Sequence, residues 1–301
     1  STEVIPNRHL LMKDVGLTVL DKEILRLPFL WIPLGDRSYN YLPAVGQTPD
    51  EGYYVKNRYG FPMRGEDIGV VRLDYMERIG EGAGLEYYYR NPNLNGIAKF
   101  YTVRGRQGND TNNLNLQHEQ RFGLGTLTLD HDRQQNNYLT APGSTITNTR
   151  ALFQFAPGAN ANSSFGFVQN TSTSNFSANN NESITLNDTR SFGKLQTTTA
   201  ITYAKATNRF QSGSTTNESR RETVDVRFQG RRDFDRFTAG LEYQRTVPIG
   251  QIENFFPGSD RTPVFTFSSD SKRLLGESAP KSWPFRTEVT SGEYFDPQQR
   301  R

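Results

Sequence analysis

Apolar and polar residues alternate along most of this chain in short segments. The alternation is clearest at residues 71–75, 85–89, 114–117, 126–130, 224–228 and 241–243. A period of two places successive side chains on opposite faces of a β-strand. The pattern therefore predicts antiparallel sheet with one apolar and one polar face, and many such strands without helices form either a closed barrel or a two-sheet sandwich.

The alternating segments and the Gly, Pro and Asn clusters between them predict about fourteen strands. They are placed at residues 39–47, 52–60, 67–77, 82–90, 96–105, 111–121, 123–132, 146–156, 164–173, 182–191, 195–206, 220–230, 236–246 and 263–269. In the second half of the chain, short connections alternate with long polar ones. The long ones are predicted at 133–145, 174–181, 207–219 and 247–262. Such asymmetry is typical of outer-membrane barrels, which have short periplasmic turns and long external loops.

Composition favours the barrel over the sandwich. Only 34% of the 301 residues are apolar, and the mean hydropathy is −0.71. A sandwich of this size needs a larger apolar interior, whereas a wide barrel has a thin apolar outer surface and a polar lumen. The 20 Phe and 14 Tyr argue against disorder. No apolar run approaches the roughly 18–20 residues of a membrane helix, while a barrel strand needs only about 9–11.

Several classes of function find no support in the residues. The chain has no Cys, a formal charge of +3 and no dense basic tract, so we expect no thiolate chemistry and no nucleic-acid partner. Of the three histidines, His118 and His131 fall on the apolar side near opposite ends of adjacent strands, and the third is His9. A shared catalytic site is therefore not expected. Phosphate loops, metal-binding motifs and nucleophile elbows are absent, so we expect neither an enzyme nor a cofactor.

The predicted polar face supplies candidate lumen residues, which are Arg72, Asp74, Glu86, Arg90, Asp225, Arg227 and Glu242. They could line a hydrophilic path, or they could only form cross-strand ion pairs that keep the lumen wet. The opposite face carries candidate lipid-facing aromatics, which are Tyr87, Tyr89, Phe100, Phe153, Phe155, Phe165, Phe167, Phe237 and Tyr243.

The segment 27–38, LPFLWIPLGDRS, followed by Tyr41-Leu42-Pro43, resembles the junction in the lipopolysaccharide-assembly outer-membrane proteins of the LptD or OstA type. There a periplasmic jelly roll continues into a very large barrel. Gly52-Tyr53-Tyr54 and the stretch at 78–89 are similar to the next blocks of that family, in the same order, and 263–269 resembles a later strand entered through a proline. The sequence departs from the family in lacking the disulfide cysteines and most of the jelly roll.

The resemblance implies that residues 1–37 end a periplasmic jelly roll and that residues 38–301 begin the barrel, about half of which is present. Residues 16–20 and 24–33 are predicted as two strands around a turn at 21–23. Proline removes a ladder donor. Pro33 and Pro43 match the family prolines near the seam between first and last strands, although edge placement alone would also explain them.

The family also implies a function and partners. The protein would insert lipopolysaccharide or a similar glycolipid into the outer leaflet of the outer membrane, with its N-terminal segment in the periplasm. A periplasmic bridge protein and an outer-membrane lipoprotein plug would be its partners. The alternatives are a porin or diffusion barrel and, less favoured, a soluble sandwich adhesin. Burial of Leu73, Leu85, Leu127 and Leu241 together in a sealed interior would exclude a membrane barrel.

Overall fold

The structure is a computed structural model that describes residues 2–5, 9–19, 22–33, 43–138, 143–249, 260–276 and 285–295. Its regular structure consists of eighteen strands and one short helix, so the fold is all-β as predicted. The strands within residues 2–33, 44–122 and 177–295 pair in antiparallel fashion.

A small sheet comes first in the chain. It contains β1 (Thr2–Ile5), β2 (His9–Val19) and β3 (Lys22–Pro33) in the order β1-β2-β3. The hairpin of β2 and β3 confirms the two strands predicted at 16–20 and 24–33, although β2 begins earlier, at His9. The predicted turn at 21–23 is shorter than expected because Lys22 already pairs with Val19.

The remaining strands form one fifteen-stranded sheet in which each strand pairs with its neighbours in sequence. The order begins with β4 (Ala44–Thr48), β5 (Gly52–Pro62), β6 (Ile68–Met76), β7 (Gly80–Asn91), β8 (Leu94–Gly105), β9 (Asp110–Phe122), β10 (Gly125–Asn137) and β11 (Ser144–Gly158). It continues with β12 (Ala161–Thr173), β13 (Ser177–Phe192), β14 (Leu195–Ser212), β15 (Thr215–Asp233), β16 (Thr238–Pro248), β17 (Asp260–Asp270) and β18 (Arg286–Phe295). Strands β4 and β18 are the two ends of this order.

The chain divides into two compact units. The first contains Ser1–Gln120, Leu129–Asn148 and Thr173–Asn175, and the second contains Arg121–Thr128, Thr149–Ser172 and Phe176–Arg301. The predicted domain boundary at 37/38 falls between β3 and β4, within residues 34–42, which lie outside the described part of the chain.

In the first unit, two leucines of one face are exposed, while the other face buries two acidic residues together with Ile68, Val70 and Met76. Leu73 and Leu85 are 58% and 61% exposed, while Asp74 and Glu86 next to them are 5% and 8% exposed. The ladder keeps each set on one face, since Leu85 pairs with Phe100 and Glu86 pairs with Lys99. The polarity of this sheet is therefore the reverse of a water-soluble sandwich, whose apolar faces pack together.

The second unit repeats the separation of faces. Rows of apolar residues cross the strands, as in Leu186, Ile201 and Val226, which are cross-strand neighbours. Phe265 and Phe267 on β17 are 45% and 47% exposed. Leu127 and Leu241 are half-buried, so none of the four leucines that test the membrane prediction lies in a sealed interior.

The predictions of long loops at 174–181 and 207–219 are wrong. Residues 177–192 form β13, and β14 and β15 are 18 and 19 residues long, joined by a turn at Gly213 and Ser214. Most of 174–181 and 207–219 is therefore strand. The alternation vanishes there because both faces are polar, yet backbone pairing is indifferent to side-chain polarity. The predicted loops at 133–145 and 247–262 are also too long, because β10 extends to Asn137, β11 begins at Ser144 and β17 begins at Asp260. Residues 139–142 and 250–259 of these loops lie outside the described part of the chain.

Two elements near the end of the chain escaped prediction. Strand β18 pairs with β17, and helix α1 (Ser271–Leu275) lies between them in sequence. The Asp270 carboxylate caps α1 by accepting from the Arg273 backbone N–H at 2.8 Å. The Arg273 guanidinium donates to Thr238 Oγ1 at 2.8 Å, which fastens the helix to the start of β16.

A glycine at the start of β7 offers a test of the pairing between β7 and β8. Gly80 has φ +142°, and a Cβ there would lie 2.0 Å from the Arg104 carbonyl oxygen. We expect Gly80→Ala to reduce the free energy of unfolding by at least about 2 kcal/mol, because strain and a backbone clash add. The measurement is urea unfolding in detergent micelles, followed by circular dichroism.

The matched control is Gly123→Ala, since a Cβ at Gly123 would have no neighbour within 4 Å. Its free energy of unfolding should change by less than about 0.5 kcal/mol. Equal effects of the two substitutions would contradict the observed pairing of β7 with β8.

Candidate functional site

The candidate site is the polar face of β5–β8, which carries Arg58, Arg72, Asp74, Glu86, Tyr88, Lys99 and Tyr101. The register brings these side chains onto one side of four adjacent strands. For example, Arg58 pairs with Arg72 across β5 and β6, and Glu86 pairs with Lys99 across β7 and β8. Three of the predicted lumen residues, Arg72, Asp74 and Glu86, are therefore brought together.

The first cluster on this face is built around Glu86. Its carboxylate accepts hydrogen bonds from the Arg58 guanidinium and from the Tyr88 hydroxyl. The Glu86 side chain is 7% exposed and that of Arg58 is 35% exposed, so the carboxylate is shielded from solvent more than the guanidinium. The Lys99 ammonium lies 5.6 Å from the centre of the Tyr88 ring.

The second cluster is built around Asp74. Arg72 Nε donates to Asp74 Oδ2 at 2.8 Å, and the Tyr101 hydroxyl donates to the same oxygen at 2.6 Å. The Arg72 guanidinium also lies 4.1 Å from the centre of the Tyr101 ring. The Asp74 side chain is fully buried, and one cation and one hydroxyl compensate its Oδ2, while its Oδ1 is buried without a hydrogen-bond partner among the described residues.

Glycines shape this face. Tyr101 lies across Gly82, where a Cβ would be 2.2 Å from the tyrosine hydroxyl oxygen. Tyr54 covers Gly46 in the same way, at 2.5 Å. The missing side chain at Gly82 leaves room for the Tyr101 ring, whose hydroxyl reaches Asp74. Such aromatic cover of glycine is a known device of curved sheets.

The remaining predicted lumen residues lie elsewhere. Arg90 is exposed near the end of β7, and its backbone N–H donates to Asp67 Oδ1 at 3.2 Å. In the second unit, Arg227 Nε donates to Asp225 Oδ1 at 2.8 Å, and Gln229 donates to Glu242 at 3.3 Å. These are the cross-strand and same-strand polar contacts that the plainer interpretation of the lumen residues predicts.

Sequence reasoning missed Arg58, Tyr88, Lys99 and Tyr101. The alternation contained a signal for two of them. Tyr88 is the middle residue of Tyr87-Tyr88-Tyr89 and so lies on the side of Glu86, and Arg58 follows Lys56 at a spacing of two. Their contacts with Glu86 and Asp74 depend on which strands are neighbours and in which register, and a single sequence does not contain that information.

On the apolar face, several predicted lipid-facing aromatics carry polar partners at the strand ends. The Tyr87 hydroxyl donates to Asp67 at 2.6 Å, and the Tyr89 hydroxyl is 2.7 Å from His118 Nδ1. Phe153 and Phe155 stack with ring centres 5.3 Å apart. His118 thus has an aromatic hydroxyl partner, and the expectation that the chain is not an enzyme stays a prediction.

The two prolines predicted to lie at the seam are in different parts of the fold. Pro33 is the last residue of β3 and pairs with His9. Pro43 directly precedes β4, the strand that ends the order of the large sheet. Edge placement of Pro43 fits its missing N–H donor.

Within the described ranges, no three His, Asp or Glu side chains converge into a group able to hold a metal ion. The described residues also include no helix that is both long and apolar enough to cross a membrane.

A cross-strand pair on the polar face can be tested by removing one partner. Arg58→Met should lower the free energy of unfolding by about 2–3 kcal/mol, because Glu86 is left as a buried carboxylate without its cation. The double variant Arg58→Met/Glu86→Leu should recover most of that loss. Urea unfolding in detergent micelles measures both.

Arg227→Met is the matched control, because Arg227 pairs with Asp225 but its side chain is 59% exposed. It should change stability by less than about 1 kcal/mol. A double variant less stable than Arg58→Met would refute the pairing of Arg58 with Glu86.

No family model and no curated protein matches this chain. Among solved structures, the chain is similar to OmpT, folded in vitro, an outer membrane protein of Vibrio cholerae. The TM-score is 0.32 and the sequence identity is 7%, over 84% of this chain and 94% of that one.

Proposed function

We propose that strands β4–β18 belong to an outer-membrane β-barrel that inserts lipopolysaccharide or a related glycolipid into the outer leaflet. In this proposal the sugar and phosphate head passes along the polar face, and the acyl chains leave sideways through a weakly paired seam. The observation that carries the proposal is the inverted polarity of the sheet, in which Asp74 and Glu86 are buried while Leu73 and Leu85 are exposed.

Inverted polarity supports a membrane barrel for a simple physical reason. Exposed leucine and phenylalanine rows are unfavourable in water but favourable against hydrocarbon. In addition, the barrel architecture pairs backbone groups between strands, which lipid requires. Strands β6–β9 contain 9 to 13 residues, close to the length that spans hydrocarbon.

The long strands β13–β15 support the same orientation. At apolar-face positions, Ile184, Tyr203 and Val224 form one cross-strand row, and the next row is Glu182, Lys205 and Glu222. The change from apolar to charged residues marks where hydrocarbon would end. Beyond Lys205, β14 continues for seven residues to Ser212, which at about 3.4 Å per residue is about 24 Å of polar hairpin. In the proposal this hairpin projects from the outer surface.

The choice of a glycolipid rests on two features. The first is the resemblance of residues 27–43 to the junction of the lipopolysaccharide-assembly family. The second is the chemistry of such a substrate, whose charged head is unfavourable in hydrocarbon and whose acyl chains are unfavourable in water. The Arg58, Arg72 and Lys99 cations suit a phosphorylated sugar, and Pro43 beside the end strand β4 suits a weak seam.

The proposal includes partners. Among the described residues there is no nucleotide-binding motif, so the energy for export is assigned to proteins upstream. A periplasmic bridge protein would join the N-terminal sheet, and a lipoprotein would fill the lumen, as the resemblance implies. The N-terminal sheet is then periplasmic.

Placing a charge on the exposed leucine tests the membrane assignment. Leu85 is near the middle of β7, so Leu85→Arg should reduce the free energy of unfolding from phospholipid vesicles by about 2–4 kcal/mol. Urea unfolding of the vesicle-inserted protein measures the loss. In water, such a substitution at a 61% exposed site should have almost no effect.

Leu124→Arg is the control, because Leu124 lies in the turn between β9 and β10 and is 72% exposed. Its effect should stay below about 1 kcal/mol, the value expected near the interface. An equally small effect at Leu85 would exclude hydrocarbon on this face.

The seam is tested in cells that express the full-length protein. Replacing Pro33 and Pro43 together by Val adds one backbone donor at the end of β3 and one beside the end strand β4. The donor beside β4 should strengthen pairing at the seam, so surface glycolipid should fall. The measurement is surface glycolipid at equal amounts of folded protein.

The control replaces Pro49 and Pro92, which lie in the turns before β5 and β8, by Ala. Export should then stay normal. Normal surface glycolipid in the Pro33 and Pro43 variant would remove the seam, and a barrel that instead passes small solutes would favour a diffusion channel.

A further inference from the structure

The apolar face of β5–β8 contains a groove of about 490 Å³. Its floor is Ala83, whose cross-strand neighbours are Leu73 on β6 and Thr102 on β8. Val55 and Tyr75, which pair across β5 and β6, form one wall. Because Ala83 is small while its neighbours are large, the face is concave here instead of flat. The lining runs across β5 to β8 and is mostly apolar, which suits contact with a hydrocarbon chain.

One end of the groove is charged. Arg104 on β8 is directly opposite Glu81 on β7, and both contribute to its lining. Arg106 lies just beyond β8, and its guanidinium donates to the Tyr75 hydroxyl at 2.6 Å. The two guanidinium groups and the Glu81 carboxylate lie at the strand ends, where a barrel strand would leave the hydrocarbon. A guanidinium fork binds phosphate oxygens well.

We propose that this groove binds one acyl chain of a phosphate-bearing membrane lipid, with Arg104 and Arg106 holding the phosphate. The tail lies over Ala83 between Leu73 and Thr102, and the headgroup rests at the end of β7 and β8. The groove begins on β5, the strand next to β4, so acyl chains that leave at a β4 seam would meet it first. The inference therefore rests on the proposed function and assigns it a landing site on the outer surface.

The test is photocross-linking of the protein in vesicles of phosphatidylethanolamine and phosphatidylglycerol. p-Benzoylphenylalanine at Leu73 reports on the groove, and the same residue at Leu114 is the control. Leu114 lies on the same face, is 39% exposed and does not line the groove. Lipid adducts identified by mass spectrometry should be several-fold more abundant at Leu73.

Two double variants distinguish binding of the lipid phosphate from a general effect of positive charge. Arg104→Gln/Arg106→Gln should lower the Leu73 adduct several-fold. Arg64→Gln/Arg121→Gln removes two exposed arginines from the opposite ends of these strands and should leave it unchanged. Equal reduction by both pairs would overturn the phosphate site.

Ala83→Trp provides a second route that leaves the arginines intact. It should fill the floor and suppress the Leu73 adduct, whereas Ala98→Trp on the same face of β8 should not. Equal adduct yields at Leu73 and Leu114, or equally efficient cross-linking of diacylglycerol added to the vesicles, would also overturn the proposal.

The outcomes for the groove and for glycolipid export are distinguishable, since cross-linking needs only insertion into vesicles. A strong Leu73 adduct together with normal export in the proline variant would support the lipid groove and exclude the seam. An absent adduct together with reduced surface glycolipid in the proline variant would remove the groove alone.

Discussion

The separation of side chains between two faces of one continuous sheet is the constraint on which the rest of this structure depends. Backbone pairing fixes the ladder, and the ladder sends alternate residues to opposite sides. In β7 this places Leu85 on one face and Glu86 on the other. The exposed leucines and the covered acidic groups are the arrangement that the proposed membrane barrel requires.

On the polar face, clusters of cations and hydroxyl groups offset the free energy of desolvating the acidic side chains. Glu86 has Arg58 and Tyr88 as donors, and Asp74 has Arg72 and Tyr101. Each acid thus receives one cation and one hydroxyl, which offsets desolvation better than a lone ion pair. The glycine at position 82 is part of the same arrangement, because Tyr101 reaches Asp74 by lying over it. A side chain at that position would lift the ring and leave the carboxylate with fewer donors.

The two faces give the proposed transport one physical basis. A glycolipid head needs hydrogen-bonding and cationic partners, which the polar face offers, and its chains need apolar surface, which the other face offers. The groove over Ala83 lies on the apolar face close to the β4 end of the sheet, with arginines at its rim. In these proposals, the same strands present a polar path on one side and a lipid site on the other.

The strand class and the two faces follow from the amino-acid pattern alone, because segments such as 71–75 and 85–89 alternate with a period of two. The pattern also placed Arg72, Asp74 and Glu86 on the polar side before any contact was known. Where the pattern is polar on both faces, as in 207–219, the sequence predicted a loop and the structure has strands, since backbone pairing needs no apolar residue. The contact of Arg58 with Glu86 and the cover of Gly82 by Tyr101 could not be predicted from the pattern, because cross-strand register sets these contacts.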